Sequence, residues 1–216
     1  MIPSQSDTGT AQPEAQTTGQ QLIDHHITTV ACFSDPIAPV FLTQNMKNQG
    51  YFPEHWMPGV GLIDYDVLGR LYDPSEWVHS SGVSDLSTGN LFGETDASRW
   101  WVDAGNSGSP DATENLPLAY FGAMAAAFQV AGPHPTPQSI HQGLVALEPL
   151  GSWALLHDQH QIKVGFKPPS EWTATEDTRE VYWSQTRVSE IDGKPGSYCP
   201  VDGGHRDARS VTQPPD

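Results

Sequence analysis

Ile27-Thr-Thr-Val-Ala-Cys-Phe33, then Ser34-Asp35-Pro36, then Ile37-Ala-Pro-Val-Phe-Leu-Thr-Gln-Asn-Met-Lys-Asn48: the reading of this stretch decides the fold. Ile27 to Phe33 is a dense β-branched and aromatic run ended by a turn signal, the pattern of a strand buried on both faces, as in a parallel sheet. Ala38 to Asn48 reads as a helix with Val40, Phe41, Leu42 and Met46 on its apolar face and Gly50 just past its end. Working outward, Ala15 to His25 is helical with Leu22 and Ile23 turned inward, and a short strand covers His55 to Val60. Gly59-Val-Gly61 follows, then a helix from Tyr65 to Leu71 led by Asp64, whose carboxylate suits an N-cap. Trp77 to Val83 completes the series as another strand. Helix and strand alternate at short spacing, the rhythm of βαβ units, so the class is α/β with a mostly parallel sheet.

The rest of the chain is less regular. Ser84 to Asn115 is rich in Gly, Ser, Asp and Asn, with a short helix at Ala97 to Ala104. Asn115 caps a helix from Leu116 to Ala131, with Pro117 early in it where a missing N–H is harmless. That helix is apolar nearly all round and needs cover on several sides. A second helix runs from Pro137 to Leu147 and a strand from Gln161 to Phe166. Glu180 to Ser189 alternates ahead of the turn signal Ile191-Asp-Gly-Lys194, so the end reads as a β-hairpin.

Charge removes whole classes of function. Ten Lys+Arg stand against 26 Asp+Glu, a net charge of -16, which argues against nucleic acid, whose recognition requires cations to displace phosphate counterions. Anionic lipid is disfavoured for the same reason, and no apolar run is long enough to span a bilayer. The start, Met1 to Gln21, is polar and without Lys or Arg, so it is not a secretory signal. Cys32 and Cys199 either pair outside the cytoplasm or stay as buried thiols.

Candidate chemistry is sparse. His157-Asp-Gln-His160 could share a metal on a helix but lacks a third ligand, and a surface loop is the plainer reading; no metal site is assigned. His25-His26 reads as a solvated helix end. Asp64 and Asp66, two apart on a helix, diverge by about 200° and cannot share a proton. Trp56, Trp100 and Trp101 could be carbohydrate platforms or, more plainly, core and loop anchors. No P-loop, GxGxxG or GxSxG is present and no cofactor is expected. Nothing assembles a nucleophile, a base and an oxyanion site, so no catalytic residue is assigned. The loops after two of the strands remain. Ligands of open parallel sheets bind beyond the carboxyl ends of the strands, which makes Ser34, Asp35, Gly61 and Asp64 the candidate ligand-binding residues. Turn formation by Ser34-Asp35-Pro36 and capping by Asp64 are the structural alternatives.

The run Ile27 to Trp77 (ITTVACFSDPIAPVFLTQNMKNQGYFPEHWMPGVG, then LIDYDVLGRLYDPSEW) resembles the type I periplasmic-binding-protein family. Its likeness is to the leucine-binding-protein-like receptors of actinobacterial ABC transporters. Asn115 to Gly132 resembles a late helix of that family and Glu180 to Val201 its closing hairpin. The resemblance implies two α/β lobes closing on an amino acid or similar small polar solute, delivery to ABC permease subunits, and an extracytoplasmic, secreted or lipoprotein setting. It also implies that most of the N-terminal lobe is missing here. On that mapping residues 1–14 are a disordered lead-in, 15–84 belong to the second lobe, and 85–113 are a loop-rich connection. Residues 114–150 are then helices of the first lobe, 151–206 the strand and closing hairpin of the second, and 207–216 a tail. In such receptors an acidic side chain of the second lobe meets the ligand's ammonium, and Asp64 is the available acid. Helices without their sheet imply self-association through an exposed apolar helix. The rival readings are a hydrolase or metal-dependent enzyme using His157 and His160, and a ligand-sensing regulatory domain of the same fold.

Overall fold

The computed structural model describes residues 9–86, 96–107, 115–147, 150–151, 163–166 and 177–208. Strands β1 (Thr29–Ala31), β2 (Glu54–Met57) and β3 (Ser80–Ser84) run parallel, and two strands from the chain's end extend the sheet antiparallel. These are β6 (Asp177–Val188) and β7 (Pro195–Pro200), giving the order β1-β2-β3-β6-β7. The expected α/β architecture is therefore present, with its parallel part confined to β1–β3. Helix α1 (Ala11–Asp24) packs on α2 (Ala38–Asn48), and α2 packs on the single turn α4 (Pro74–Trp77). The short α3 (Asp66–Gly69) lies against β7.

Three differences from the sequence reading have physical causes. First, β1 is not buried on both faces: Thr29 and Ala31 are exposed, Val30 is half-buried, and Phe33 is 69% exposed. It is an edge strand, and Ala31, Trp56, Ser81 and Tyr182, in register across four strands, are all exposed on one face. The opposite face carries the core of Cys32, Met57, Ile63, Tyr72, Trp77, Val181, Trp183 and Tyr198. Second, Trp77 ends a helical turn rather than opening a strand. Asp73 accepts the Ser75 amide at 3.0 Å and Pro74 takes the first helical position, a start signal that outweighs the β-branched residues beyond. Third, α1 begins at Ala11, inside the stretch read as a disordered lead-in to residue 14. Its Gly19 is buried against α2, facing the side chains of Asn45 and Gln49.

The chain divides into two compact units. The first comprises residues up to Leu86 with Arg179–Ser189 and Gly193–His205, and holds the sheet just described. The closing hairpin turns where Ser189 N–H donates to Lys194 O at 2.8 Å and Gly193 takes φ +71°. The second unit contains α5 (Asp96–Asp103), α6 (Asn115–Ala131) and α7 (Pro137–Ala146), with a two-stranded pair β4 (Leu150–Gly151) and β5 (Lys163–Val164). Helix α7 opens on a capping box between Thr136 and Ser139. In the same unit β8 (Asp207–Ala208) pairs with the start of β6, and Arg206 bridges the buried Asp177 at 2.9 Å.

Candidate functional site

The carboxyl ends of β1, β2 and β3 lie side by side, and the loop after the middle strand is wedged between its neighbours. Gly59 and Gly61 both adopt positive φ, +70° and +67°. A Cβ on Gly59 would sit 3.0 Å from Val83 O at the end of β3; one on Gly61 would sit 2.7 Å from Ser34 O, just past β1. Only glycine meets both demands, a left-handed backbone and contact on either side. Leu62 follows at φ +62°, a conformation that non-glycine residues hold only when the surroundings enforce it. The enforcement comes from the core. Trp77 Nε1–H donates to Tyr198 Oη at 2.7 Å, and Tyr198 Oη–H donates to Ile63 O at 2.6 Å. The hydroxyl of Tyr72 reaches back to Pro36 O at 3.0 Å and ties down the loop after β1.

The structure thus brings the Ser34–Asp35 loop and the Gly61–Asp64 loop together, and it assigns their side chains different duties. Asp35 Oδ1 accepts the amides of Ile37 and Ala38 at 2.9 and 3.1 Å, so its carboxylate holds the start of α2. The Ser34 hydroxyl donates to Asp35 O at 3.0 Å. Asp64 does not cap a helix: α3 starts at Asp66, its cap position is Tyr65, and no side chain caps it. The cap reading fails because the chain spends two more residues in a turn, with Tyr65 N–H donating to Leu62 O at 3.0 Å.

Asp64 is instead 5% exposed and packed beneath the loops. Burial pushes its carboxyl up to about 6; a hydrogen bond from Ser84 and the Arg179 guanidinium pull it down, and the charge of Asp85 pushes it further up. Its Oδ2 has no hydrogen-bond partner among the described residues. Ser84, Asp85 and Arg179 were not singled out by the sequence. Ser84 ends a parallel strand, and that position is the signal that could have found it; Arg179 comes from a distant strand paired with β3 through Ser84. Ser84 Oγ also accepts the Leu86 amide at 3.1 Å, which fixes its rotamer.

Other candidates resolve into structural roles. Asp66 Oδ1 accepts the Tyr198 amide at 2.8 Å and Oδ2 the Ser189 hydroxyl at 2.5 Å, joining α3 to the hairpin. His55 Nε2 and Glu76 Oε2 lie 3.3 Å apart, both side chains wholly enclosed, with Ser80 in register beside His55. Serine, histidine and glutamate are the types of a hydrolytic triad, yet these have no access for a substrate. Trp56 is not a core residue: it is 40% exposed, with its ring 6.0 Å from that of Phe33. Trp100 is 51% exposed, while Trp101 anchors the following turn through Nε1–H to Ser107 O at 3.1 Å. Cys32 and Cys199 are free, buried thiols, and burial pushes the Cys32 thiol up to about 12. His25 and His26 are exposed. Among the described residues no three His, Cys, Asp or Glu side chains converge as a metal site. His157 and His160 lie outside the described residues.

No protein-family model matches the sequence, and no curated protein sequence does. Solved structures do match. An ABC transporter substrate-binding protein from Aeropyrum pernix superposes with a TM-score of 0.56 over 93% of this chain and 50% of its own, at 12% identity. The chain has the periplasmic-binding-protein fold. A branched-chain amino acid ABC transporter protein from Thermus thermophilus, solved with bound valine, superposes with a TM-score of 0.55 over 92% of this chain and 50% of its own, again at 12% identity. The chain spans about half the length of these two proteins. Among the described residues no helix is long and apolar enough to cross a membrane.

Proposed function

We propose that this chain contributes one wall of the solute site of an ABC importer's binding protein, and that the solute is an amino acid or a similar small molecule carrying an ammonium group. The observation that carries the reading is the Asp64 carboxyl, buried at the joined ends of three parallel strands with Oδ2 unpartnered. A carboxylate so placed costs folding energy unless a cation or donor completes it. Ser34 and the backbone around Gly61 lie beside it, past the ends of the neighbouring strands. On this reading the first unit is the second lobe and 114–150 belong to the first. Strands β4 and β5 fall in the second unit with those helices, so they leave the second-lobe span 151–206 expected from the sequence. The receptor works outside the cytoplasm with a permease. The fold similarity to an ABC transporter substrate-binding protein and to a branched-chain amino acid ABC transporter protein solved with valine supports it.

The test is an amide NMR titration of the full chain with L-valine and, in parallel, isovalerate, which keeps the carboxylate and side chain but has no ammonium. Saturable shifts at Gly59, Gly61 and Ser84 with valine, much weaker with isovalerate and absent in Asp64→Asn, are expected. Equal responses to both compounds, or none to valine, would overturn the assignment.

A further inference from the structure

Asp64 sits among more charge than a single solute contact explains. Its carboxyl is buried, with Oδ2 unpartnered. From the end of β3 the Ser84 hydroxyl and the Asp85 carboxylate act on it, and from β6, paired with β3 through Ser84, the buried Arg179 guanidinium. Tyr72, beyond α3, and Tyr198 of β7 feel its charge, and Tyr72 also feels Cys32 and Asp35 from the loop after β1. Burial pushes both phenols and the Cys32 thiol up, so all three stay neutral between about pH 4 and about pH 8. Asp35 and Asp66 are met by donors: the Ile37 and Ala38 amides for one, the Tyr198 amide and the Ser189 hydroxyl for the other. Asp64 and Asp85 share the field of one guanidinium, Arg179. With Asp64 ionised and no solute bound, two negative charges face one positive charge beneath the loops, where an unbalanced buried charge is expensive. A proton on Oδ2 restores the balance, and so does an ammonium beside it. The two exclude each other, because a protonated carboxyl offers no charge and turns its O–H, a donor, towards a donor.

We propose that the solute's ammonium and a proton exchange at Asp64, so that capture of the solute expels a proton and mild acid discharges it. This rests on the ammonium contact argued above and adds its regulation. Without solute the carboxyl keeps its proton up to about pH 6, because burial, with Asp85 added to it, outweighs Ser84 and Arg179. Below that pH an arriving ammonium must displace the proton, and apparent affinity falls about tenfold per pH unit. Above it the carboxylate is already bare, and affinity is flat.

The experiment is isothermal titration calorimetry of the full chain with L-valine, whose own two charges do not change between about pH 5 and about pH 8, in two buffers of different ionisation heat. With a carboxyl near 6, binding should be about tenfold weaker at about pH 5 than at about pH 8, with about 0.9 proton released per valine at the lower pH and none at the higher. A second measurement follows the Asp64 carboxyl carbon itself, recognised in NMR spectra by its loss in Asp64→Asn. It should titrate near 6 without valine, and at a lower pH with valine bound, since the linkage is reciprocal. Affinity that is flat across this range, no proton release at about pH 5, or a midpoint that valine does not move overturns the exchange and leaves the ammonium contact standing. An Asp64 carboxyl that titrates at the ordinary 3.8 in the solute-free chain overturns it too. No binding of valine at about pH 8 removes the ammonium contact, and the exchange falls with it.

Discussion

Asp64→Asn should stabilise the protein at neutral pH and leave it nearly unchanged in acid. The native carboxyl titrates near 6 rather than at the ordinary 3.8, with burial as the largest cause. A displacement of about two units corresponds to about 3 kcal/mol, at 1.36 kcal/mol per unit. Because the folded value is raised, the folded state binds the extra proton between the two values. Stability from this group is fully present below 3.8, falls as pH rises towards about 6, and stays low above it. Asparagine matches the shape of the protonated acid and carries no charge, so it escapes that fall. Urea unfolding followed by tryptophan fluorescence and circular dichroism, at about pH 4 and about pH 8, reads the difference. With a slope near 2 kcal/mol per molar urea, the variant's midpoint should sit about 1.5 M higher at the upper pH and coincide with wild type at the lower. An equal or lower midpoint at about pH 8, or a gap that widens in acid, would refute the reasoning. A residue that costs the fold this much, where a neutral amide would serve, is what the proposed ammonium contact requires.

Two further sets of substitutions test the scaffold beneath the site. Gly61→Ala should destabilise by about 1–3 kcal/mol in urea unfolding, because alanine meets both the +67° φ and the Ser34 carbonyl 2.7 Å from its Cβ. The comparison variant is Val67→Ala, at an exposed position on α3, expected within about 0.5 kcal/mol of wild type. For the enclosed His55–Glu76 pair, His55→Leu or Glu76→Leu alone should cost about 3–5 kcal/mol, since each strands its partner without water. The double variant should cost less than the sum of the singles; additive losses in the cycle would show that the two groups do not interact.

The succession of α2, β2, β3 and the closing hairpin was legible because each rests on local chemistry: Gly50 past α2, Gly193 in the turn, alternation along β6. Burial was not legible from apolar content alone. Ile27 to Phe33 reads as a doubly buried strand, yet which faces are covered depends on where α1, α2 and α4 stack, and that is a tertiary fact. Reading Trp56 as a core anchor fails for the same reason, since alternation along β2 places His55 and Met57 inside and leaves the indole out. Asp64 shows the limit most clearly. An acid ahead of a helical pattern suits a cap, and only the turn closed by Leu62 and Tyr65 moves it off the helix and under the loops. What made it a ligand candidate was topological, its place after a parallel strand. Its burial came from elsewhere: Ser84 ends a neighbouring strand, and Arg179 arrives from the chain's far end to pair with it. A charge made expensive by groups so distant in sequence cannot be recognised from its own neighbours, and it is that expense, rather than the acid itself, that argues for a bound cation.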